Sequence, residues 1–328
     1  MFYKKTVVFS LIMGVLMCGR LFAGDIGEVG YFNGYELNNS INNYISSVSG
    51  LIPDITTLQN VWAYTPGAGG GKFWLGAGFN GYVSFLDKGS QRSGGDKFGA
   101  DNLDLTQFPN GVPYLPGIAF DLRGGFGSID FGVCGMWVDE SAFSEGDAAF
   151  FGSGSSFALR GIGLDVRYRV LKAGVLWPSV TVQAGYYYTM HRFGITAESA
   201  GNRESAKVEF RNDTYLIGAQ IAKGFLANIF TPYLGLKLII SKTDSEYEWH
   251  TNRAVVFNDN EFPYLGGVSY YSAGNAGNVD FYGQIYAGIG LSLTMDKLSN
   301  YMFVIGGAYT IGTNHFSLNA ALRFMIGG

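Results

Sequence analysis

Apolar and polar residues alternate with a period of two along most of the chain after residue 71. This alternation predicts β-strands whose two faces meet different surroundings. Ten such segments are predicted, over residues 72–86, 113–126, 128–138, 156–169, 178–190, 207–223, 231–243, 279–294, 301–311 and 315–324. Their lengths suit the walls of a membrane barrel, whose strands run to ~10 residues, and all ten exceed the ~5–6 residues usual in soluble sheets.

The links between these segments alternate between long and short. Long links cover 87–112, 139–155, 191–206 and 244–278, and short ones lie near Gly127 and at 170–177, 224–230 and 295–300. Only the ninth link, 312–314, breaks the pattern. Outer-membrane barrels have short periplasmic turns and long external loops, so an even strand number places both termini in the periplasm. A secreted β-sandwich, the alternative all-β fold, gives no reason for this alternation.

Composition supports a transmembrane, antiparallel, up-and-down β-barrel of about ten strands. The 328 residues include 49 glycines, 16% aromatic residues and only 15% charged residues, whereas soluble domains average about 25% charged. Membrane lipid is therefore the first expected partner. The net charge is −4 and no basic run occurs, so a nucleic-acid partner is not expected.

The N-terminus has the pattern of a secretory signal peptide over residues 1–23. Two lysines precede an apolar run from Thr6 to Met17, and Ala23 supplies a small residue at the cleavage position. The run is shorter than the ~20 residues that a membrane-spanning helix needs. A lipoprotein signal ending at Cys18 is the alternative. Residues 24–71 then form a helical segment with a glycine hinge, and 72–328 form the barrel.

The helical segment precedes the first strand. Apolar residues spaced by three and four over residues 37–48 predict an amphipathic helix, and Pro53 predicts the start of a second helix that runs to Val61. Three placements stay open: a plug in the lumen, a periplasmic cap under the rim, and a helix on the membrane surface. The glycines at 67–71 do not form a phosphate-binding loop, because Pro66 and Phe73 occupy motif positions that need Gly and Ser or Thr.

A repeat places opposite charges on the polar face of two strands. "AFDLRG" holds Asp121 and Arg123, and "GLDVRY" holds Asp165 and Arg167; residues two apart share a face about 7 Å from each other. An arginine facing lipid costs ~2–4 kcal/mol at the midplane, so these side chains are predicted to face the lumen. They form either a structural ion network or a charged constriction on a solute path. The lumen-facing prediction also covers Gln183, Gln220, Lys237, Asn319 and Arg323.

Catalysis, metals and cofactors are not expected. His315, Ser317 and Asn319 share a face and resemble the site of outer-membrane lipid hydrolases, but that face is predicted to be the lumen. The stretch "TDSEYEWHT" is the one dense group of acidic residues with a histidine; such a stretch is usually a solvated loop or a strand extension above the membrane. Its candidate protease residues are Asp244, Glu246, Glu248 and His250. Cys134 is the one cysteine left after signal cleavage, which excludes an internal disulfide.

The last predicted strand carries a regular apolar face ending in an aromatic residue. This face resembles the sorting signal read by the barrel-assembly machinery, which is therefore an expected partner. Its residues are Phe316, Leu318, Leu322 and Phe324. Four residues follow Phe324, whereas the usual signal ends on its aromatic residue.

Several longer stretches resemble one family. "NNYISSVSGLIPDITTLQNVWA", "PGIAFDLRGGFGSIDFGV", "GIGLDVRYRVLKAGVLWPSVTVQAGYYYT" and "TPYLGLKLIISKTDSEYEWH" are similar to spirochaetal outer-membrane barrel proteins of the treponemal kind. The resemblance covers most of residues 37–324. It implies a place in the outer membrane of a diderm bacterium, without an established substrate. A weaker resemblance is to hydrophobic-solute channels that carry an N-terminal plug.

Two functions follow from these features. Eight strands enclose an interior just filled by side chains and 16–18 leave a water channel, so ten strands lie near the filled end. Passive passage of small solutes is the expected function. The alternative is a surface-exposed structural or adhesive barrel without transport, whose long external loops contact host-surface ligands.

Overall fold

The structure is a computed structural model. It describes residues 32–33, 52–58, 62–63, 73–85, 114–138, 155–199, 202–226, 228–251, 255–257, 260–262, 268–273, 278–294 and 299–327. The predicted signal peptide, the predicted helix at 37–48 and the glycine run at 67–71 lie outside these residues.

Ten long strands form one closed sheet. They are β2 (Phe73–Phe85), β3 (Tyr114–Phe126), β4 (Ile129–Val138), β5 (Ser155–Leu171), β6 (Ser179–Ser199), β7 (Asn202–Ala222), β8 (Phe230–Thr251), β12 (Asn278–Thr294), β13 (Ser299–Ile311) and β14 (His315–Gly327). Each pairs antiparallel with its neighbours, and β14 pairs with β2 from Phe316↔Phe85 to Gly327↔Trp74. The predicted ten-stranded antiparallel barrel is confirmed.

The barrel has an apolar outside and a polar inside. In β4, residues alternate strictly between exposed and buried, so that Phe131 and Trp137 point outward and Asp130 points inward. Phe131 is 63% exposed and Trp137 67% exposed, while Asp130 is 5% exposed. Exposed apolar rows around a closed sheet suit contact with hydrocarbon, where every backbone N–H and C=O must be paired within the protein. The strands therefore form a transmembrane barrel.

Three strands continue well beyond the apolar band. β6 runs to Ser199 and β7 starts at Asn202, so the predicted loop 191–206 is almost entirely paired strand. β8 continues to Thr251 and pairs there with β7 and with β11 (Val268–Ala273). The prediction of a loop over 191–206 was wrong. Of the two alternatives for the stretch that ends at Thr251, a solvated loop or a strand extension, the strand extension is confirmed. Above the band, charged residues occupy the outward positions that apolar residues hold within it. The alternation of apolar and polar residues is therefore lost there, although the backbone pairing continues.

A small second sheet lies at the end of the barrel that carries the long links. Its strands are β1 (Phe32–Asn33), β9 (Val255–Phe257) and β10 (Asn260–Phe262). β1 pairs parallel with β9, and β9 pairs antiparallel with β10. β9 follows Thr251, the last residue of β8, so β1 lies at one end of the barrel and Gly327, the last residue of β14, lies at the other. The predicted periplasmic position of the N-terminus concerns residues before Phe32, which lie outside the described residues.

One short helix occurs in the part of the chain that the structure describes. Helix α1 covers Ile52–Leu58, so Pro53 lies in its first turn as expected, and its end precedes the predicted Val61. The Thr56 hydroxyl donates back to the Ile52 carbonyl oxygen at 2.7 Å. No helix among the described residues is long and apolar enough to cross a membrane.

Candidate functional site

The nine residues predicted to face the lumen all lie on the inner face of the barrel. Each is 8% exposed or less, and Arg323 has no exposed surface. They are Asp121, Arg123, Asp165, Arg167, Gln183, Gln220, Lys237, Asn319 and Arg323. The alternation of side chains along a strand accounts for all nine, since each lies at an inward-facing position of its strand.

The inward charges pair across strands. Arg123 on β3 forms ion pairs with Asp130 on β4 and Asp165 on β5, and Arg167 Nε lies 3.0 Å from Asp130 Oδ1. Gly132 on β4 makes the pair of Arg123 with Asp165 possible: a Cβ there would lie 2.4 Å from Arg123 Nη2 and 2.5 Å from Asp165 Oδ2. The bare backbone at Gly132 thus lets a side chain of β3 reach one of β5. The ion pairs therefore join residues of different strands, and not the Asp and Arg that lie two residues apart on one strand.

Asp130 is a central member that the sequence prediction omitted. Its carboxylate accepts from both Arg123 and Arg167. Asp130 lies one residue after the start of β4, on the same inward parity as Gly132 and Cys134. Its inward position on a predicted strand was the sequence feature that could have identified it. Asp130 lies outside the Asp-x-Arg repeat, which occurs on β3 and β5.

Trp62 occupies the centre of this charged layer. The Trp62 indole Nε1–H donates to Asp121 Oδ2 at 2.6 Å, and the side chain has no exposed surface. Three guanidinium carbons surround the ring, at 4.6 Å for Arg323, 5.5 Å for Arg123 and 6.0 Å for Arg167 from its centroid. Guanidinium groups at such distances are attracted by the electron-rich ring face. No sequence pattern singled out Trp62.

The residues around Trp62 are also held by the wall. Gln220 Nε2 donates to the Trp62 carbonyl oxygen at 2.9 Å, and Lys237 Nζ donates to the Thr57 carbonyl oxygen at 2.6 Å. Thr57 Oγ1 donates to Gln284 Oε1 at 3.5 Å. Helix α1, Trp62 and Ala63 therefore lie within the barrel, bounded by inward side chains; we call these residues the lumen segment.

Tyrosines fill much of the remaining interior by lying against glycines. A Cβ at Gly163 would lie 2.2 Å from a ring carbon of Tyr187, and a Cβ at Gly235 would lie 2.2 Å from a ring carbon of Tyr286. Such close approach of a ring to backbone needs glycine on the neighbouring strand. The high glycine content therefore serves internal packing as well as turns.

Some polar atoms in this layer have no partner. Arg323 Nη1 and Nη2, Arg167 Nη2 and Asp121 Oδ1 are buried without hydrogen bonds in the structure. A buried unpaired polar group costs ~1–3 kcal/mol, and more when it is charged.

The candidate hydrolase residues face the lumen. His315, Ser317 and Asn319 are buried on the inward face of β14, and Ser317 Oγ lies 2.7 Å from Ser84 Oγ. A catalytic serine needs an adjacent base, but this hydroxyl is engaged by another hydroxyl. No group of three or more potential metal ligands occurs within the described residues.

The candidate protease residues belong to the strand extension above the apolar band. Glu246 pairs with Arg211 at 3.4 Å, and Asp244 pairs with Lys242 at 3.4 Å. Glu248 is half-buried on the same strand, and the side chain of His250 lies outside the described ones. These contacts are those of a solvated strand surface.

Glu209 is the best-connected charge of this extension. Its carboxylate accepts from Arg192 Nη2 at 2.8 Å and from Arg211 Nε at 2.9 Å. Partial burial raises the pKa of Glu209, but the hydrogen bonds and charges of the two arginines outweigh it and hold the pKa below its usual value. The outer strand surface is thus stabilised by an ionised carboxylate.

The residues of the predicted assembly signal lie on the outer face of β14. Phe316, Leu318, Leu322 and Phe324 are 36–46% exposed. Phe324 packs against Tyr301 with ring centroids 5.0 Å apart, and Phe316 stacks on Phe85 at 6.2 Å. All four are therefore available to lipid or to a partner.

No family model matches this sequence, and no curated protein does either. Similar solved structures include the translocator domain of the autotransporter NalP from Neisseria meningitidis, with 8% identity, 88% of this chain and 97% of that chain covered, and a TM-score of 0.41. The outer membrane protease OmpT from Escherichia coli follows, with 10% identity, coverage of 81% and 98%, and a TM-score of 0.37. The transport unit of the autotransporter AIDA-I from Escherichia coli has 9% identity, coverage of 87% and 98%, and a TM-score of 0.29.

Proposed function

We propose that the protein is an outer-membrane barrel that passes small solutes and is closed at rest by its own lumen segment. The observation that carries this proposal is the position of Trp62, fully buried between Asp121 and three arginines of the wall. A barrel of ten strands leaves a narrow interior. A helix and an indole ring inside it leave little room for a solute, so passage requires the lumen segment to move.

The contacts that hold the lumen segment favour a gate over a permanent filling. They are hydrogen bonds and ring contacts, without a covalent link, from Gln220, Lys237 and Asp121. Withdrawal of Trp62 would expose the charged side chains of Arg323 and Asp121 to water. Their hydration would offset part of the free energy lost with the contacts of Trp62, which lowers the free-energy difference between the closed and open states.

The charges of the lumen favour anionic solutes. The described inward groups of this layer include four cations, Arg123, Arg167, Lys237 and Arg323, against three carboxylates, Asp121, Asp130 and Asp165. An excess of positive charge in a narrow aqueous path attracts anions. The open barrel is therefore proposed to pass small anions more readily than cations of the same size.

A reversible cross-link tests the gate. In a Cys134→Ala background, Ala63→Cys and Gly290→Cys form a suitable pair, because a Cβ at Gly290 would lie 2.6 Å from Ala63 Cβ. A small shift brings the two to the ~3.5–4.5 Å of a disulfide. We expect planar bilayers to show no conductance with the oxidised protein and channel openings after reduction. Equal conductance in both states would refute the gate.

A deletion provides the matched comparison. Removal of residues 24–65 should leave the barrel folded and give steady conductance that oxidation does not affect. Reversal potentials in a salt gradient then report whether anions are preferred. An unfolded barrel would instead assign the lumen segment a structural role.

A second function is favoured by the strand extensions. β6, β7 and β8 rise above the apolar band and carry the paired charges of Arg192, Glu209, Arg211 and Glu246. Such a rigid outer surface suits a structural or adhesive role. Continued silence of the folded deletion protein in bilayers would favour this role over transport.

A further inference from the structure

The residues before β2 contact the barrel at three successive depths. β1 pairs with β9, in the link that follows the far end of β8. Thr56 Oγ1 lies 3.4 Å from Thr189 Oγ1, ten residues into β6. Trp62 contacts Trp74, the second residue of β2, at a ring distance of 5.9 Å.

The depth of each contact can be read from the strand ends. Gln220, which holds the Trp62 carbonyl, lies two residues before the end of β7 at the short-turn side. Thr189 lies ten residues from the short-turn end of its strand. The difference is eight residues, so with a rise of ~3.3 Å per residue and a strand tilt of ~35–45° the contact of helix α1 with Thr189 lies roughly 20 Å farther from that end than Gln220 does.

We propose that the chain crosses the membrane inside the barrel, from the outer surface to the periplasmic end, before its first wall strand begins. Strand β1, Phe32–Asn33, is then displayed at the cell surface. The direction of this crossing rests on the proposed outer-membrane location with the long links outside. The crossing itself rests on the three contacts alone.

The pairing of β1 with β9 identifies what holds Phe32–Asn33 in place. β1 adds a parallel strand to the β9–β10 hairpin, so that backbone pairing ties Phe32–Asn33 to the link that follows β8. A cap beneath the barrel could not make this pairing, because the whole barrel would lie between the two partners. The same polypeptide thus joins the surface hairpin to Trp62 in the lumen.

Cysteine labelling on intact cells tests this arrangement. In the Cys134→Ala background, Asn33→Cys is compared with Lys207→Cys, exposed on the extension of β7, and with Ser128→Cys, exposed in a short turn. A membrane-impermeant maleimide coupled to polyethylene glycol is the probe. We expect modification of Asn33→Cys and Lys207→Cys on intact cells, and of Ser128→Cys only after permeabilisation.

The controls separate the two proposals. Labelling of Asn33→Cys only together with Ser128→Cys would overturn the crossing. Labelling of Ser128→Cys, but not Lys207→Cys, on intact cells would overturn the orientation instead. If local packing protects Asn33→Cys in both conditions, a factor Xa site inserted after Asn33 decides: cleavage on intact cells supports the crossing, and cleavage only after permeabilisation overturns it.

Discussion

The Trp62 indole N–H and the Asp121 carboxylate are joined by a hydrogen bond of 2.6 Å inside the barrel. Asp121 belongs to the wall and Trp62 to the lumen segment, so this bond links the lumen segment to the barrel wall. Arg323 Nε approaches the same oxygen, Asp121 Oδ2, at 3.4 Å. The carboxylate therefore has a charged neighbour in addition to the indole, and would keep it in the proposed open state.

The first prediction concerns Trp62→Phe, which keeps an aromatic ring near the arginines but removes the N–H donor. A hydrogen bond to a charged group contributes ~1.5–3 kcal/mol, so the balance between closed and open barrels should shift roughly ten- to a hundredfold toward open. The measurement is the open fraction of single channels. Trp137→Phe, on the lipid face of β4, is the control. Equal open fractions in the two variants would contradict the role of this bond.

The second prediction compares two arginines of the lumen. Arg123 pairs with both Asp130 and Asp165, whereas Arg167 pairs with Asp130. Arg123→Met should therefore lower the free energy of unfolding by ~3–5 kcal/mol, because it strands Asp165 in the interior. Arg167→Met should cost less, since Asp130 keeps Arg123. Urea titrations of the barrel in lipid vesicles measure both.

An exposed pair provides the control for this comparison. Lys242 and Asp244 are nearly half exposed and 3.4 Å apart. Pairs of this kind contribute ~0–1 kcal/mol, so Lys242→Met should change stability little. If Arg123→Met changed stability as little, the inward charges would be solvated lining rather than a structural network.

The third prediction concerns pH and His191. This side chain lies beyond the apolar band, and burial lowers its pKa from 6.5 to about 3. Between these two values the unfolded chain binds a proton that the folded chain does not, so stability should fall as the pH is lowered. The loss approaches ~1.4 kcal/mol per pH unit once the pH is below the unfolded pKa. Above pH 6.5 the effect should vanish.

Thermal unfolding in detergent between pH 6.5 and 4.5 gives the test. The upper part of the acid range avoids most of the titration of Glu209, whose pKa lies below its ordinary value. His191→Leu should flatten the pH dependence relative to the unchanged protein. Parallel curves for the two proteins would show that other groups cause the loss.

The fourth prediction concerns assembly. Phe324→Ser removes an outward aromatic residue that packs on Tyr301. If β14 carries the sorting signal, the amount of protein inserted in the membrane should drop several-fold. Leu293→Ser, an outward apolar residue of β12 that is 66% exposed, should assemble normally. Equal insertion of both variants would show that the signal lies elsewhere.

The strands could be predicted where lipid constrains the sequence. The predicted segment 113–126 corresponds to Tyr114–Phe126, and 315–324 corresponds to His315–Gly327. Hydrocarbon favours an apolar side chain at each outward position, so apolar and polar residues alternate along the sequence of each strand. Above the membrane this requirement ends, so the outward Glu209 and Arg211 concealed the extension of β7.

The candidate site was only partly predictable. The inward direction of Asp121 and Arg167 follows from strand parity. Their partners depend on the register between strands and on the glycine at 132, and neither can be read from one strand alone. Trp62 lies in a stretch without periodicity, so nothing in the sequence distinguished it from the four other tryptophans.

The pairing of β14 with β2 has a consequence for the order of assembly. Twelve residue pairs close the ring at this seam, and the lumen segment lies inside the closed ring. If the chain crosses the lumen as proposed, its outer end is held by β9 and its inner end continues into β2. The order of assembly that needs no threading of a free end places the segment before the seam forms, so that the barrel closes around it. Formation of the final hydrogen-bonded ladder then becomes the step that traps one part of the chain inside another.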